Sequence, residues 1–395
     1  MHTRPCWVEI RPRAFEENYR FLASAAAPHA ELLAIVKADA YGHSLAICAP
    51  AAVRAGARWL GVTSVEEGVS ARALCPEAGI LVISGAFSGQ GTDVVQHRLT
   101  AVAWEQWQLD ELEIAAHAAH LGPGSLPIHL EIDTGMSRQG ADPADLGPLL
   151  ARFTGTSPLR LEGVMTHLYA ADEANGDATR SQLERLALSL QHVRSAGLQP
   201  LWLNVGNSAA LLAGQASILA DLAAQSGFKA LLRPGLALYG TAPQYDPAFE
   251  SAEPAILVEA RQRLQPVLAW KSKVASVHSI ERGAVIGYNG TFVATQSMRI
   301  ALVSVGYADG LDRRLGNRFA LLVRGQRAPL VGRISMDHSV LDVTEISGVV
   351  PGDEVVLLGM QGNDVITADD HAIAAGTIPW DVFTRIAARV PRIAV

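Results

Sequence analysis

Between Leu32 and Gly240 the chain repeats one pattern: a short, nearly continuous apolar run, then a longer stretch rich in Ala, Leu, Glu and Arg. The runs begin at Leu32 (LLAIVKA), Trp59 (WLGVTS), Gly79 (GILVISG), Leu99 (LTAVAW), Pro127 (PIHLEID), Leu161 (LEGVMTHL), Leu201 (LWLNVGNS) and Leu231 (LLRPGLALYG). A strand that is apolar on both faces has to be covered on both, and helices between successive parallel strands do this. Eight such units in roughly 200–250 residues match the size of a closed (β/α)8, or TIM-like, barrel. An open doubly wound sheet is the competing arrangement, but no GxGxxG follows the first strand.

After Gly240 the texture changes. The segment TAPQYDPAFESAEP is rich in Pro, Ala and acidic residues and reads as a linker. Beyond it LAWKSKVASVHSI, RIALVSVGYADG, FALLVRG and GDEVVLLG read as strands separated by glycine-containing turns, with helix-like segments around 369–375 and 380–388. The expected organisation is an α/β barrel over 12–242 and a mostly β domain over 243–395, which an N-terminal strand within 1–11 joins.

Polar residues that interrupt the apolar runs gather at their C-terminal ends: Lys37, Asp133, Arg138, His167, Asn207, Ser208 and Arg233. In a barrel these ends meet at one face, where active sites are built. A formal charge of -7 and the lack of any Lys/Arg run argue against a nucleic-acid partner, which requires a basic face. The three cysteines, Cys6, Cys48 and Cys75, form neither a CxxC pair nor an even framework and read as reduced thiols. The N-terminal stretch lacks the unbroken apolar core of a secretion signal. The most apolar long stretch, 209–224, is interrupted by Gly214, Gln215 and Asp221 and is too polar for a bilayer. A cytoplasmic protein with no membrane partner is expected. The motifs GxSxG, HExxH and GxxxxGK[ST] are missing, so hydrolase and kinase readings have no support and no metal is expected.

Lys37 lies in AIVKADAYGH. Burial disfavours an ammonium, and a neutral amine is a nucleophile for a carbonyl. On the strand alone, a lysine snorkelling from a barrel rim is the plainer reading. The string as a whole, with Tyr41 four residues after Lys37, resembles the cofactor-binding signature of the alanine racemase family. The resemblance continues in order through EIDTGMSRQG, GVMTHLYAADE, NVGNSAALL, LRPGLALYG, VIGYNGT, VGYADGLDR, GRISMDH and TRIAARVPR, and so spans nearly the whole chain.

The resemblance implies that Lys37 binds pyridoxal 5'-phosphate as a Schiff base and is one of two catalytic bases, Tyr288 being the other. Racemisation needs proton exchange on both faces of the substrate α-carbon, and two opposed bases supply it. A tyrosine titrating near pH 10 is a poor base unless positive charge helps its phenolate. His167 resembles the histidine that touches this tyrosine, although the segment alone would suit a satisfied core histidine. Arg233 resembles the arginine facing the pyridine nitrogen, which a guanidinium leaves unprotonated. Tyr41, Ser208 and the backbone amides of Gly235 and Leu236 match phosphate-binding positions, and Asn207 lies among the implied cofactor contacts. Arg138 matches an arginine near the cofactor's phenolic oxygen and the substrate carboxylate. Tyr288, Met336 and Tyr307 are the other implied substrate contacts. Tyr288 and Met336 are expected to come from the second subunit of a homodimer.

The implied reaction is interconversion of L- and D-alanine, supplying D-alanine for peptidoglycan. Three departures bear on it. Glu131 stands where many family members carry a carbamylated lysine that orients the arginine at Arg138, and its carboxylate is a candidate replacement. Trp380 stands where a phosphate-binding tyrosine is usual, which leaves open a racemase of broader specificity acting on serine or other small amino acids. Ser335 replaces a common cysteine. A related pyridoxal-phosphate barrel decarboxylase is the other alternative, but it would need an acidic partner for the pyridine nitrogen and a late cysteine. Arg233 and the lack of any cysteine after Cys75 argue against it.

Overall fold

The computed structural model describes residues 4–173, 176–245 and 253–395. Positions 246–252 of the expected linker lie outside the described residues. The chain divides into two compact units, one of Arg13–Ala40 with Cys48–Gln265, the other of Met1–Pro12, Tyr41–Ile47 and Pro266–Val395.

After β1 (Cys6–Ile10), which belongs to the second unit, eight strands form the first: β2 (Ala30–Ile35), β3 (Trp59–Val62), β4 (Gly79–Val82), β5 (Thr100–Ala103), β6 (Leu126–Glu131), β7 (Leu159–Met165), β8 (Trp202–Asn204) and β9 (Lys229–Leu232). They close into a barrel, every neighbouring pair parallel, with β9 pairing back onto β2. Each apolar run of the sequence is one of these strands. Helices fill the intervals; the longest, Asp177–Ser195, buries Leu186, Leu190 and Val193 on one face, at the spacing of a helical stripe.

The barrel interior is packed with side chains, and glycines make room for the largest. A Cβ on Gly163 would stand 2.5 Å from the His129 ring, and one on Gly79 would stand 2.6 Å from the ring of Trp59. Each missing side chain is filled by a ring from the adjacent strand, the large-with-small alternation that fills a tapering barrel.

In the second unit the long strand β10 (Leu268–Ile280) organises a nine-stranded sheet. The hairpin β11 (Val285–Ile286) and β12 (Phe292–Val293) is followed by β13 (Met298–Val303), β14 (Ala320–Val323), β15 (Gln326–Pro329), β16 (Ser339–Asp342), β17 (Glu354–Gln361), β18 (Asp364–Ile366) and β19 (Arg392–Ala394). Strands β1, β13 and β17 all pair antiparallel with β10, and β19 joins the outer edge of β1 in parallel. The N-terminal strand is therefore held by the C-terminal half of the chain.

Residues 41–47 group with this unit, an excursion that a single range of 12–242 passes over. The Gly42 carbonyl accepts from Arg392 Nε at 3.1 Å, and the His43 ring packs edge-on against Phe383 with centroids 4.9 Å apart. The Gly42 backbone, at φ +76°, approaches Phe383 so closely that a Cβ would stand 2.5 Å from its carbonyl oxygen. A helix, Ala255–Arg263, follows the linker and has no counterpart in the sequence-based expectation. Among the described residues no helix is long and apolar enough to cross a membrane.

Candidate active site

Six of the implied residues belong to the barrel unit and follow its strands directly. Lys37 comes after β2, Arg138 in the loop after β6, His167 after β7, Asn207 and Ser208 after β8, and Arg233 after β9. Parallel strands around a barrel present these ends on one side.

Arg233 is the best-held of them. It is buried, and one terminal nitrogen donates to both the carbonyl and the side-chain oxygen of Asn204, each at 2.6 Å. The other donates to the Thr166 carbonyl at 2.9 Å and faces His167 Nδ1 at 3.1 Å. A guanidinium can only donate, so His167 Nδ1 accepts and the ring's proton sits on Nε2. Burial, then the positive charges of Arg233 and Arg138, drive the His167 pKa down to about 3. His167 is thus a neutral imidazole near pH 7, and the standing positive charge belongs to Arg233, whose pKa burial lowers only to about 10.

Lys37 follows β2 and opens a turn of unusual backbone. Ala38, Asp39, Ala40 and Tyr41 all have φ between 50° and 55°. A left-handed residue with a Cβ costs about 1–2 kcal/mol, so the surroundings have to hold this run in place. Glu67, in the helix Val65–Leu74 that follows β3, holds one of these residues: its carboxylate accepts from Asp39 N at 3.3 Å and from Thr63 N at 2.8 Å. The Lys37 pKa is lowered by burial first and by Arg138 and Arg233 next, with Glu67 and Glu131 opposing. The shift is toward the neutral amine, the form that attacks a carbonyl.

Ser208 Oγ accepts from Gly235 N at 2.9 Å and Ala237 N at 3.3 Å. One hydroxyl therefore gathers the turn after β9 and keeps its own proton to give to an anion. Asn207 caps the helix Ser208–Leu212 through Ala210 N at 3.0 Å. Leu236 opens the short 3-10 turn behind Gly235.

Glu131 is buried at the end of β6, and its pKa is raised by burial against the pull of Arg233. Its hydrogen-bond donor is Gln139 Nε2, which also donates to the Ile83 carbonyl at 2.8 Å. Among the described residues no hydrogen bond joins Glu131 to Arg138, which is exposed. The carboxylate reaches the loop carrying Arg138 through Gln139.

The remaining implied residues belong to the second unit. Tyr41 is buried and its phenol is pushed up to about 12; the indole of Trp380 is its hydrogen-bond partner. An indole N–H can only donate, so Trp380 supports the Tyr41 oxygen from outside. Tyr288, Met336 and Tyr307 are 67%, 54% and 42% exposed. Tyr307 and Met336 are brought side by side: Tyr307 N donates to Ser335 O and Ala308 N to Met336 O, both at 3.0 Å. Beneath them Asp309, fully buried, binds Arg4 at 2.6 Å and Arg389 at 2.8 Å, and both arginines reach Asp337 at 3.7 and 2.7 Å. This ring of two cations and two anions fixes the residues that flank Tyr307 and Met336. Tyr288 lies on its own 3-10 turn after Gly287.

Sequence reading passed over Asn204, Glu67, Gln139 and Asp309. Asn204 carried a usable signal, since it is an amide inside an otherwise apolar barrel strand and so needs a buried partner. The others lie in polar loops or helix starts, where nothing in the pattern marks them.

Residues 10–243 match the family described as alanine racemase, N-terminal domain, and residues 267–394 match alanine racemase, C-terminal domain. The alanine racemase of Symbiobacterium thermophilum is 38% identical over 390 residues, covering 98% of this chain and 97% of that protein. Alanine racemase 2 of Caldanaerobacter subterraneus subsp. tengcongensis is 33% identical, covering 99% and 95%. Among solved structures, the alanine racemase of D-cycloserine-producing Streptomyces lavendulae superposes with a TM-score of 0.87 at 32% identity, covering 100% of this chain and 98% of that one. That of Bartonella henselae, with covalently bound pyridoxal phosphate, gives 0.82 at 26% identity, covering 99% of both.

Proposed function

The chain belongs to the alanine racemase family and is a pyridoxal-phosphate-dependent isomerase interconverting L- and D-alanine; we propose that Lys37 and Tyr288 are its two bases. The observation that carries the barrel half of this reading is the buried guanidinium of Arg233 at the same barrel end as a lysine whose charge is disfavoured. The relatives named above favour the racemase over a barrel decarboxylase.

The residues present fit the cofactor. Ser208 offers a hydroxyl proton, with the turn of Gly235 and Leu236 beside it, to a phosphate. Arg233, with its donors organised by Asn204, Thr166 and His167, suits a ring nitrogen that has to accept. Arg138 is free of Glu131 and has the fork geometry for a carboxylate. Pyridoxal phosphate, when bound, supplies the electron sink that weakens the Cα–H bond of the amino acid. Lys37 Nζ would bind the cofactor aldehyde and would carry a proton to or from one face of the substrate α-carbon. Tyr288 Oη does the same on the opposite face. Because Arg233 cannot readily hand over a proton, it would leave the ring nitrogen unprotonated and temper the electron sink relative to a carboxylate partner.

Tyr288, Met336 and Tyr307 stand exposed on one unit, and we assign Tyr288 and Met336 to the barrel mouth of a second protomer in a homodimer. D-alanine for peptidoglycan, made in the cytoplasm, is the role this activity serves best.

Absorbance of the purified protein tests the cofactor assignment. A visible band that borohydride abolishes is expected, and Lys37→Ala should lose both the band and racemisation; a variant that keeps both would overturn the role of Lys37. Rates with L-alanine, L-serine and L-lysine measured side by side test specificity, and serine turning over as fast as alanine would favour the broader racemase.

A further inference from the structure

Below the Arg233 cluster the barrel interior holds a second group of polar side chains. Asn204 Oδ1 is committed to Arg233, because a guanidinium only donates, so the amide nitrogen of Asn204 faces the other way. It meets His129 Nδ1 at 3.4 Å. His129 Nδ1 is then an acceptor, and the proton of the neutral ring sits on Nε2. Among the described residues that nitrogen has no hydrogen-bond partner, although His129 is fully buried.

Among the described residues two more buried polar atoms share this condition: Glu162 Oε2 and the indole nitrogen of Trp202. His129 Nε2 and Glu162 Oε2 are 3.9 Å apart, beyond a hydrogen bond. Since the imidazole is neutral, this is not an ion pair either. Trp202 and His129 flank Gly163 in the sheet register, and both rings pack on Trp59. The His129 ring fills the space in front of Gly163, where an added Cβ would stand 2.5 Å from it.

The chemistry of the three atoms is complementary to one molecule. Two are donors, His129 Nε2–H and Trp202 Nε1–H, and one is an acceptor, Glu162 Oε2. A water at about 2.8 Å from both His129 and Glu162 would subtend an angle of about 90° between them. Three protein hydrogen bonds are the usual complement of a buried water. An unpaired polar group in a dry interior costs about 1–3 kcal/mol, so leaving three is a poor alternative.

We propose that the barrel interior contains one structural water bound by His129, Trp202 and Glu162, and that His129 is a positioning residue which holds Asn204, and through it Arg233, in a single orientation. The column runs from Arg233 through Asn204 and His129 to the water and Glu162, which Arg160 holds from outside at 3.2 Å. The charged groups facing His129 are Arg233 and Arg160, which oppose its protonation, and Glu162. The link from Arg233 to catalysis rests on the cofactor reading above; the hydration site does not.

The first test is made on the cofactor-loaded protein without substrate. Nitrogen-15 spectra should show His129 as the Nε2–H tautomer, unchanged from pH 5.5 to 9, and high-resolution diffraction should place density within hydrogen-bond reach of all three atoms. An Nδ1–H tautomer, a His129 that titrates, or a direct His129–Glu162 contact without density would overturn the site. The second test compares His129→Phe with His129→Gln, whose amide can accept from Asn204 and donate to the water. His129→Phe should lower kcat about tenfold, the size of one lost hydrogen bond, and alter the pH dependence of the cofactor's absorption. His129→Gln should restore both. Equal behaviour of the two variants, or a wild-type absorption profile in His129→Phe, would overturn the positioning role. If Arg233→Gln leaves the absorption unchanged, only the assignment of Arg233 to the ring nitrogen fails.

Discussion

The two sets of implied site residues are built in opposite ways. On the barrel, Arg233 is buried with its donors on Asn204, Thr166 and His167, and Ser208 gathers two backbone amides. In the second unit Tyr288, Met336 and Tyr307 lie open on the surface, and in the ion ring that flanks Tyr307 and Met336 Asp309 is buried while Arg4, Arg389 and Asp337 stay partly exposed. Arg233 and Ser208 are satisfied within one chain. The other set is exposed, which is compatible with the proposed lending of Tyr288 and Met336 to a second protomer. Stability and activity should therefore separate between the two.

The sharpest separation is Tyr288→Phe against Arg233→Leu. Removing an exposed hydroxyl should leave the thermal midpoint within about 1 °C of wild type. It should cut racemisation starting from L-alanine by about 10²–10⁴-fold, the usual worth of a positioned acid–base group. Arg233→Leu should lower stability by about 3–5 kcal/mol in urea titration, because Asn204, Thr166 and His167 are left facing an apolar group. Equal stability of the two variants would break the comparison.

Asp309→Asn should cost about 1–3 kcal/mol, since the arginines it binds are partly solvated. It should raise the alanine KM more than it lowers kcat, because Met336 and Tyr307 lose their anchor; an unchanged KM would detach the ion ring from the substrate pocket.

Acid should act through the barrel. His129 and His167 have pKa values near 3 when folded, against an ordinary value of 6.5. The unfolded chain binds their protons first, so stability falls as pH drops below about 6.5, by roughly 1.4 kcal/mol per unit for each histidine. Thermal midpoints between pH 7 and 5 should decline accordingly, and His129→Gln should flatten the decline; a slope indifferent to His129 would remove it from this account. Glu131→Gln should have the smallest effect, a severalfold rise in the alanine KM. Its influence on Arg138 passes through Gln139, and an unchanged KM would mean that it has none.

Much of this was legible along the chain. The eight apolar runs predict eight strands because a strand covered on both faces has no use for polar residues, and the residues that break the runs fall at the barrel's C-terminal ends. Lys37, His167, Ser208 and Arg233 could be picked out for that reason. The excursion of 41–47 into the second unit could not, because it is carried by contacts with Phe383 and Arg392, more than 300 residues away in the chain.

The sequence by itself determined the barrel, the β-rich second unit and the identity of the residues with chemistry to offer, since hydrophobic period and strand ends are local properties. Only the tertiary structure decided their states. It gives His167 no charge, places Gln139 between Glu131 and the Arg138 loop, turns Trp380 toward Tyr41 and directs Asn204 to Arg233. A protonation state or a hydrogen-bond partner depends on what burial brings within about 3 Å, and that neighbour is usually distant in sequence.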